Sequence, residues 1–397
     1  MRKNRFFRLF KPWMVKEEEK EIEGEYIMTS VPTIQINCGG RGNMDGTRML
    51  PIYQNYGMKT MMSGIDVSGS SRIPYDFTPM DLSGFKGFDT GHKWKCTENA
   101  IKNCPRFIIE YVHECIRKYR EIYNEDPRVI LIKCSAHGGT GWFTALSIAA
   151  ALKGLRPDIA VILSVVVGNP WESVLKENAS YAISFLKNTK YADVARIIDS
   201  NMMIKCSTIT SFEDELKLIS TREAYVNCML FTSIVSEMDA KSQTEDIVNT
   251  YKSMNTRFSS IQIEETELSQ KSLGITRIFS DTFYRVRENI PLACTWPKLN
   301  GYPMQLGIGI KAPAKKIDNS TINTVINSIQ QEKRIKLNGF TSLSEIDKDK
   351  MVIAAEFEVQ LTDAFYEMNG LVKDLEVDTE TLEDVRNIAN GWGGLSD

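Results

Sequence analysis

Residues 128–155 read RVILIKC, then SAHGGTGWF, then TALSIAAALKGL. The first run is apolar and partly β-branched. The last is built of small and apolar residues, and between them Gly138, Gly139 and Gly141 crowd around Thr140. A strand that is apolar on both faces has to be covered on both faces, which is the situation inside a parallel sheet. An ordinary strand-to-helix turn needs one glycine or two. Three of them with a hydroxyl let backbone N–H groups approach an anion closely, and a helix opening at Gly141 adds a favourable dipole. Tight packing of strand against helix is the alternative reading of the same glycines.

The chain around this unit repeats the alternation. TIQINC (33–38) predicts a strand followed by a second glycine loop, GGRGN (39–43), and MKTMMSGI (58–65) predicts a strand ending at Asp66. Residues 67–106 are rich in Gly, Ser and Pro and predict long loops with a short helix. RFIIEYVHECIRKYREIY (106–123) has apolar residues at 108, 111, 112, 115, 116, 119, 122 and 123, a helical period. IAVILSVVV (159–167) is another fully apolar strand. A helix is expected over 173–188, a short strand at ARIID (195–199), and one long helical stretch over 212–239. Such βα alternation predicts a parallel sheet with helices on both faces. Both glycine loops follow strands, so both fall on the rim at the strands' carboxyl ends, where such sheets bind ligands.

After about residue 255 the pattern changes. SSIQIEE, GITRIF, MQLGIGIK, RIKLNGF and MVIAAEFEV read as strands, and STINTVINSIQQ and TDAFYEMNGLVKDLE as helices. The expected fold class is therefore α/β: an N-terminal parallel-sheet domain with helices on both faces, a long central helix and a smaller C-terminal α+β domain. The expected divisions are 1–30 (a basic-aromatic extension with an acidic linker), 31–211, 212–254, 255–370, and a tail over 371–397.

With 397 residues the chain has room for about two to three domains. A net charge of −3 gives no global argument for nucleic acid, and no sequence-specific nucleic-acid binding is expected. The eight cysteines are scattered without a CxxC pair, which predicts a reducing compartment and no disulfide framework. His92, Cys96, Cys104, His113 and Cys115 fit no common zinc spacing, so no protein-held metal is expected. The Walker pattern and GxGxxG are both absent. HGG (137–139) resembles an esterase oxyanion loop, but no GxSxG elbow accompanies it. No run is apolar and long enough to span a bilayer, and no secretory signal is read, so the expected location is cytoplasmic. The first sixteen residues, MRKNRFFRLFKPWMVK, interleave basic and aromatic side chains. Such a segment can lie in a membrane interface, contact phosphates, or dock on the body of the chain or on a neighbouring subunit.

A glycine-rich first loop, an acidic residue after the second strand, GGTG opening a helix, and a long helix bridging to an α+β domain together resemble the tubulin/FtsZ superfamily. The resemblance covers roughly residues 33–370 and leans toward the divergent bacterial and phage members of TubZ type. It implies a GTP/GDP-binding GTPase that stacks head to tail into filaments, with Mg2+ held mainly by the nucleotide. The implied role is segregation or positioning of plasmid or phage DNA through an adaptor, or a division-like role. A weakly hydrolysing or non-hydrolysing scaffold, possibly attached to a membrane surface through residues 1–16, is the alternative.

By position, GGRGN with Gly39, Gly40, Arg41, Gly42 and Asn43 resembles the first nucleotide loop. Asp66 resembles the acidic residue near the phosphates, and KGFDTGH is the candidate third loop. The family signature GGGTG[ST]G appears here as His137, Gly138, Gly139, Thr140, Gly141, Trp142 and Phe143, with its core kept and three positions changed. NPWESVLKENA (169–179) resembles the sugar loop, with Glu177 toward the ribose. Asn201 and Asn227 fall where the family reads guanine, and Tyr225 is a candidate to stack on the base. The family's hydrolytic acids lie after the long helix in a pattern like NxDxxD. This chain has SEMDAKSQTEDIVNTY there, without a DxxD pair, and Asp239, Glu245 and Asp246 are the candidates.

Overall fold

A computed structural model describes residues 26–66, 93–103, 105–168, 176–201, 209–236, 239–254, 258–267, 294–295, 304–312, 337–345 and 350–390, with a few positions between 323 and 331. The basic-aromatic segment 1–16, KGFDTGH, GITRIF, the first part of the sugar-loop candidate, and residues 391–397 lie outside the described residues.

The first half alternates as the apolar runs require. β1 (Tyr26–Ser30) precedes β2 (Thr33–Cys38), α1 (Gly39–Asn55), β3 (Thr60–Ile65), α2 (Trp94–Asn103) and α3 (Pro105–Tyr123). β4 (Val129–Ser135), α4 (Gly141–Leu155), β5 (Ala160–Val167), α5 (Lys176–Asn188) and β6 (Val194–Asp199) follow. β3, β2, β4, β5 and β6 lie side by side in that order and all parallel. Every residue of β2, β4, β5 and β6 is buried, so the continuous apolar runs do mark strands covered on both faces. α4 is buried from Gly141 through Leu152. A helix apolar all round has to sit in the middle of something, and Ala145, Ala149, Ala150 and Ala151 give it the narrow girth to do so.

The long helix is shorter than the sequence suggested. α6 (Phe212–Phe231) gives way to β7 (Thr232–Ser236), where β-branched Thr232, Ile234 and Val235 favour an extended chain and β1 supplies an antiparallel partner. GGRGN, read as a loop, is instead the first turn of α1. After α7 (Ala240–Lys252) come β8 (Phe258–Glu267), β9 (Cys294–Thr295), β10 (Met304–Ala312), β11 (Leu337–Glu345) and β12 (Lys350–Leu361). β8 joins β6 through two residue pairs, Ala195 with Phe258 and Arg196 with Ser259. One mixed sheet therefore runs β11-β10-β12-β8-β6-β5-β4-β2-β3, with β9 pairing β12.

The chain then returns to its first half. α8 (Asp363–Asn369) ends at Gly370, and α9 (Thr379–Asn390) packs on α4 with Val385 and Ile388 buried. Lys102 bridges to Glu380 and Asp384, each at 2.9 Å, and Ser184 Oγ donates to the Leu375 carbonyl at 2.6 Å. Part of the segment read as a tail is thus a packed helix. Among the described residues no helix is long and apolar enough to cross a membrane.

Candidate functional site

The two glycine loops meet at the carboxyl rim. Gly39 takes φ +72° directly after β2, and a Cβ there would lie 2.9 Å from Gly141 Cα. Only glycine fits both the backbone angle and the contact, so the starts of α1 and α4 are locked back to back. Gly42 sits equally close to the Lys133 carbonyl, at 2.6 Å for a Cβ. Two other glycines are less crowded, with room for a Cβ at ordinary contact distance. A Cβ at Gly40 would meet only Asp66 Oδ2 at 3.7 Å, and one at Gly138 only Gly141 N at 3.9 Å.

Neither α1 nor α4 has a side-chain cap or an acidic residue in its first turn. The contrast with α6 is clear: Ser211 caps it and Glu213, Asp214 and Glu215 fill its first turn. An uncapped helix start keeps unpaired N–H groups and the positive end of the dipole. Two of them joined at one point make a place suited to an anion.

The departures from the glycine signature are structural. His137 is buried, its Nε2 accepts from Gly168 N at 2.9 Å, and its carbonyl accepts from Asn178 Nδ2 at 2.9 Å. It ties the loop to the end of β5. Trp142 is also buried. Its ring packs against Trp94 at 5.2 Å and against Phe143 and Phe185 at 5.5 Å each. It therefore lies beneath the rim and does not cover it. Thr97 Oγ1 holds the Gly139 carbonyl at 3.0 Å, and Thr140 precedes α4 as its N-cap residue.

Arg41 extends from α1 over the ring of Phe212, 5.3 Å from its centroid, and pairs with Asp45 at 3.3 Å and Glu215 at 3.1 Å. Ser200, at the end of β6, donates to Glu215 Oε1. Glu215 Oε2 is buried and accepts no hydrogen bond. Asn201 is half-buried beside Ser200, and its Nδ2 donates to Asn369 Oδ1 at 2.8 Å. Buried Asn43 donates to the Ile65 carbonyl at 3.4 Å, next to half-buried Asp66. Glu177 is exposed in the first turn of α5. Phe212, Ser200, Glu215 and Asn369 were passed over in the sequence. SFEDE (211–215), an aromatic residue with a cap and acids, was the available signal for Phe212 and Glu215.

Two of the residues assigned to the base do not reach this rim. Tyr225 and Asn227 lie 13 and 15 residues beyond the start of α6, about 20 Å along the helix axis. Tyr225 packs edge-on against Tyr56 at the far end of α1, 5.8 Å between centroids. Asn227 is buried, accepts from Arg196 at 2.6 Å and donates to Tyr53 at 2.7 Å, so its amide serves an internal network.

The acidic candidates occupy the opposite end of the molecule. Glu245 pairs at 2.8 Å with Arg128, which precedes β4, the strand whose other end leads to the glycine loop. Seven strand residues separate the two ends, about 23 Å. Asp239 is the N-cap residue of α7 and is exposed, as is Asp246 on its second turn.

No family model matches the chain, and no curated protein matches it. Solved structures do. CetZ2 from Haloferax volcanii, solved as a GTPgS-bound protofilament, is 13% identical with a TM-score of 0.65 and covers 89% of this chain and 98% of its own. FtsZ of M. jannaschii, an empty dimer, is 16% identical with a TM-score of 0.59, covering 88% and 95%. CetZ1 from Haloferax volcanii, a GDP-bound monomer, is 12% identical with a TM-score of 0.58, covering 91% and 100%. At these identities the likeness is one of architecture, and the chain has the tubulin/FtsZ-like fold.

Proposed function

We propose that the rim binds a guanine nucleotide and that copies of the chain stack head to tail into a cytoskeletal filament with the nucleotide between them. The observation that carries this reading is the back-to-back contact of Gly39 and Gly141, which aims two uncapped helix starts at one spot. The fold is shared with chains solved as a GTPgS-bound protofilament and a GDP-bound monomer, which supports it.

The residues present fit such a ligand. Phosphates would lie over Gly40 and Gly138, where the backbone is least crowded, with Gly39, Gly42, Asn43, Gly139, Thr140 and Gly141 shaping the cradle. Asp66 stands beside Gly40. Mg2+ would be held mainly by phosphate oxygens, with Asp66 near it. Phe212 under Arg41, Glu215 with its unused oxygen, and Asn201 would surround the base, and Glu177 would face the sugar.

Hydrolysis would be shared between copies. Asp239, Glu245 and Asp246 lie at the end opposite the rim, so a head-to-tail neighbour would bring them to the nucleotide. A carboxylate there orients the attacking water, which is much of what a protein contributes to phosphoryl transfer. Asp246 is the favoured acid because it is exposed, whereas Glu245 is already paired with Arg128. Filament turnover would then serve segregation or positioning of a cargo such as DNA through an adaptor, or a division-like role.

The missing DxxD pair and the engagement of Glu245 favour a second reading, a nucleotide-binding scaffold that turns over little. Residues 1–16 would give it a membrane contact. Titration with a fluorescent GTP analogue tests the shared premise. Saturable binding displaced by unlabelled GTP is expected; no saturable binding at millimolar nucleotide would contradict both readings.

A further inference from the structure

The C-terminal segment reaches the rim through one residue. Asn369, the last residue of α8, is buried, 2% exposed. Its Nδ2 donates to Asp199 Oδ2 at 3.2 Å and to the Phe365 carbonyl at 3.0 Å. Both are pure acceptors, so the amide has one sensible orientation: a flip would set Oδ1 against two oxygens. Oδ1 therefore faces Asn201 and accepts from its Nδ2 at 2.8 Å.

That bond in turn orients Asn201. With its nitrogen held by Asn369, the Asn201 amide has its carbonyl oxygen left to accept from another group. Gly168 closes the third side of the pair. It takes φ +78°, and a Cβ there would lie 2.0 Å from Asn369 Oδ1 and 2.8 Å from Asn201 Nδ2. Gly168 N donates to His137 in the glycine loop, so the amide pair and the phosphate-side backbone share one support.

We infer that Asn369 is a positioning residue that fixes the amide of Asn201 and thereby makes the rim prefer guanine to adenine. The inference rests on the nucleotide reading above. The Watson–Crick edge of guanine offers N1–H and an amino group, both donors, to such an acceptor. Adenine offers an acceptor at N1, which an oxygen there opposes. A site built around a fixed hydrogen-bonding partner rejects the mismatched analogue because a polar group is left unpaired.

Displacement of a fluorescent GTP analogue by GTP and by ATP tests this on the full chain. The wild type is expected to favour GTP. Asn369→Ala frees the Asn201 amide to turn and is expected to narrow the GTP-to-ATP ratio about five- to tenfold. Asn369→Asp keeps an oxygen toward Asn201 and is expected to keep the ratio, while its repulsion with Asp199 lowers the melting temperature. A merely structural role would weaken both nucleotides equally and leave the ratio unchanged in Asn369→Ala, which would overturn the inference. Gly168→Ala is the second variant: its methyl displaces both amides, and an unchanged ratio there also counts against it. If the wild type binds no GTP, the nucleotide reading falls and this inference with it; GTP binding with unchanged ratios in the variants removes this inference alone.

Discussion

Lys133 and Glu223 form an ion pair in the interior, with side chains 1% and 2% exposed, and it joins β4 to α6. Glu223 also meets Arg196 at 3.4 Å, and Arg196 pairs with Glu356 of β12 at 2.6 Å. Tyr251 and Ser259 donate to the same Glu356, each at 2.6 Å. On the other side Lys133 lies 3.7 Å from Asp45, which pairs with Arg41 at the rim. A chain of alternating charges thus runs from the glycine loop, across the central helix, into the C-terminal sheet.

Removing one member of such a network leaves an uncompensated charge. Glu223→Leu is expected to cost about 3–5 kcal/mol, read by urea denaturation. A loss no larger than that of an exposed salt bridge would show that the network is not holding the halves together.

Acid should act through the same carboxyl. Burial alone would raise Glu223, but Lys133 and Arg196 outweigh it and hold it below the usual 4.5. A depressed carboxyl contributes stability that is present above its unfolded value and lost as pH falls through the folded one. The wild type is therefore expected to lose stability from about pH 4.5 downward, and Glu223→Gln, less stable at neutral pH, to lose less over that range. Parallel pH dependence in the two proteins would contradict this.

Lys311 of β10 adds a trend of the same sign at alkaline pH, from a group that destabilises the fold at neutral pH. Its ammonium lies 3.7 Å over the ring of Tyr56, and the buried Cys228 opposes the effect of burial only in part. Burial pushes the amine down to about 8 from 10.5, so the unfolded chain binds more protons between those values and stability rises with pH across them. Lys311→Met is expected to be more stable than the wild type at neutral pH, with the gap closing toward about pH 10.5. Thermal melts of both proteins across this range measure it; a gap independent of pH would refute it.

Trp142 and Gly39 should separate packing from binding. Trp142→Phe keeps an aromatic ring beneath the rim and is expected to leave GTP affinity within about twofold while costing about 1–3 kcal/mol of stability. Gly39→Ala introduces a methyl against Gly141 at a positive φ and is expected to weaken GTP at least about tenfold. Equal effects of the two variants on affinity would argue that Trp142 touches the ligand.

The apolar strands were legible because their residue types admit few alternatives: a six- to eight-residue apolar run such as VILIKCS or AVILSVVV has to be buried. The end of α6 was not, because a periodic stretch reads on as helix until β1 offers Thr232–Ser236 a partner from 200 residues away in sequence. α9 escaped notice because Thr381, Val385 and Ile388 are sparse among acids, and packing on α4 is what makes a core face of them. Tyr225 and Asn227, read toward the base, lie far along α6 from the rim. Spacing alone could not reveal that Arg41 lies over Phe212 or that Asn227 is taken up by Arg196 and Tyr53. His137 and Trp142 depart from the signature in sequence, and burial makes both supports for the loop.

The most direct test is GTP turnover per molecule as a function of protein concentration, with light scattering followed in parallel and Asp246→Ala as control. The account predicts negligible turnover below a threshold, a steep rise with scattering above it, and loss of turnover in Asp246→Ala with GTP binding retained. Turnover per molecule that is independent of concentration, or unchanged in Asp246→Ala, would contradict a site completed by the next copy of the chain.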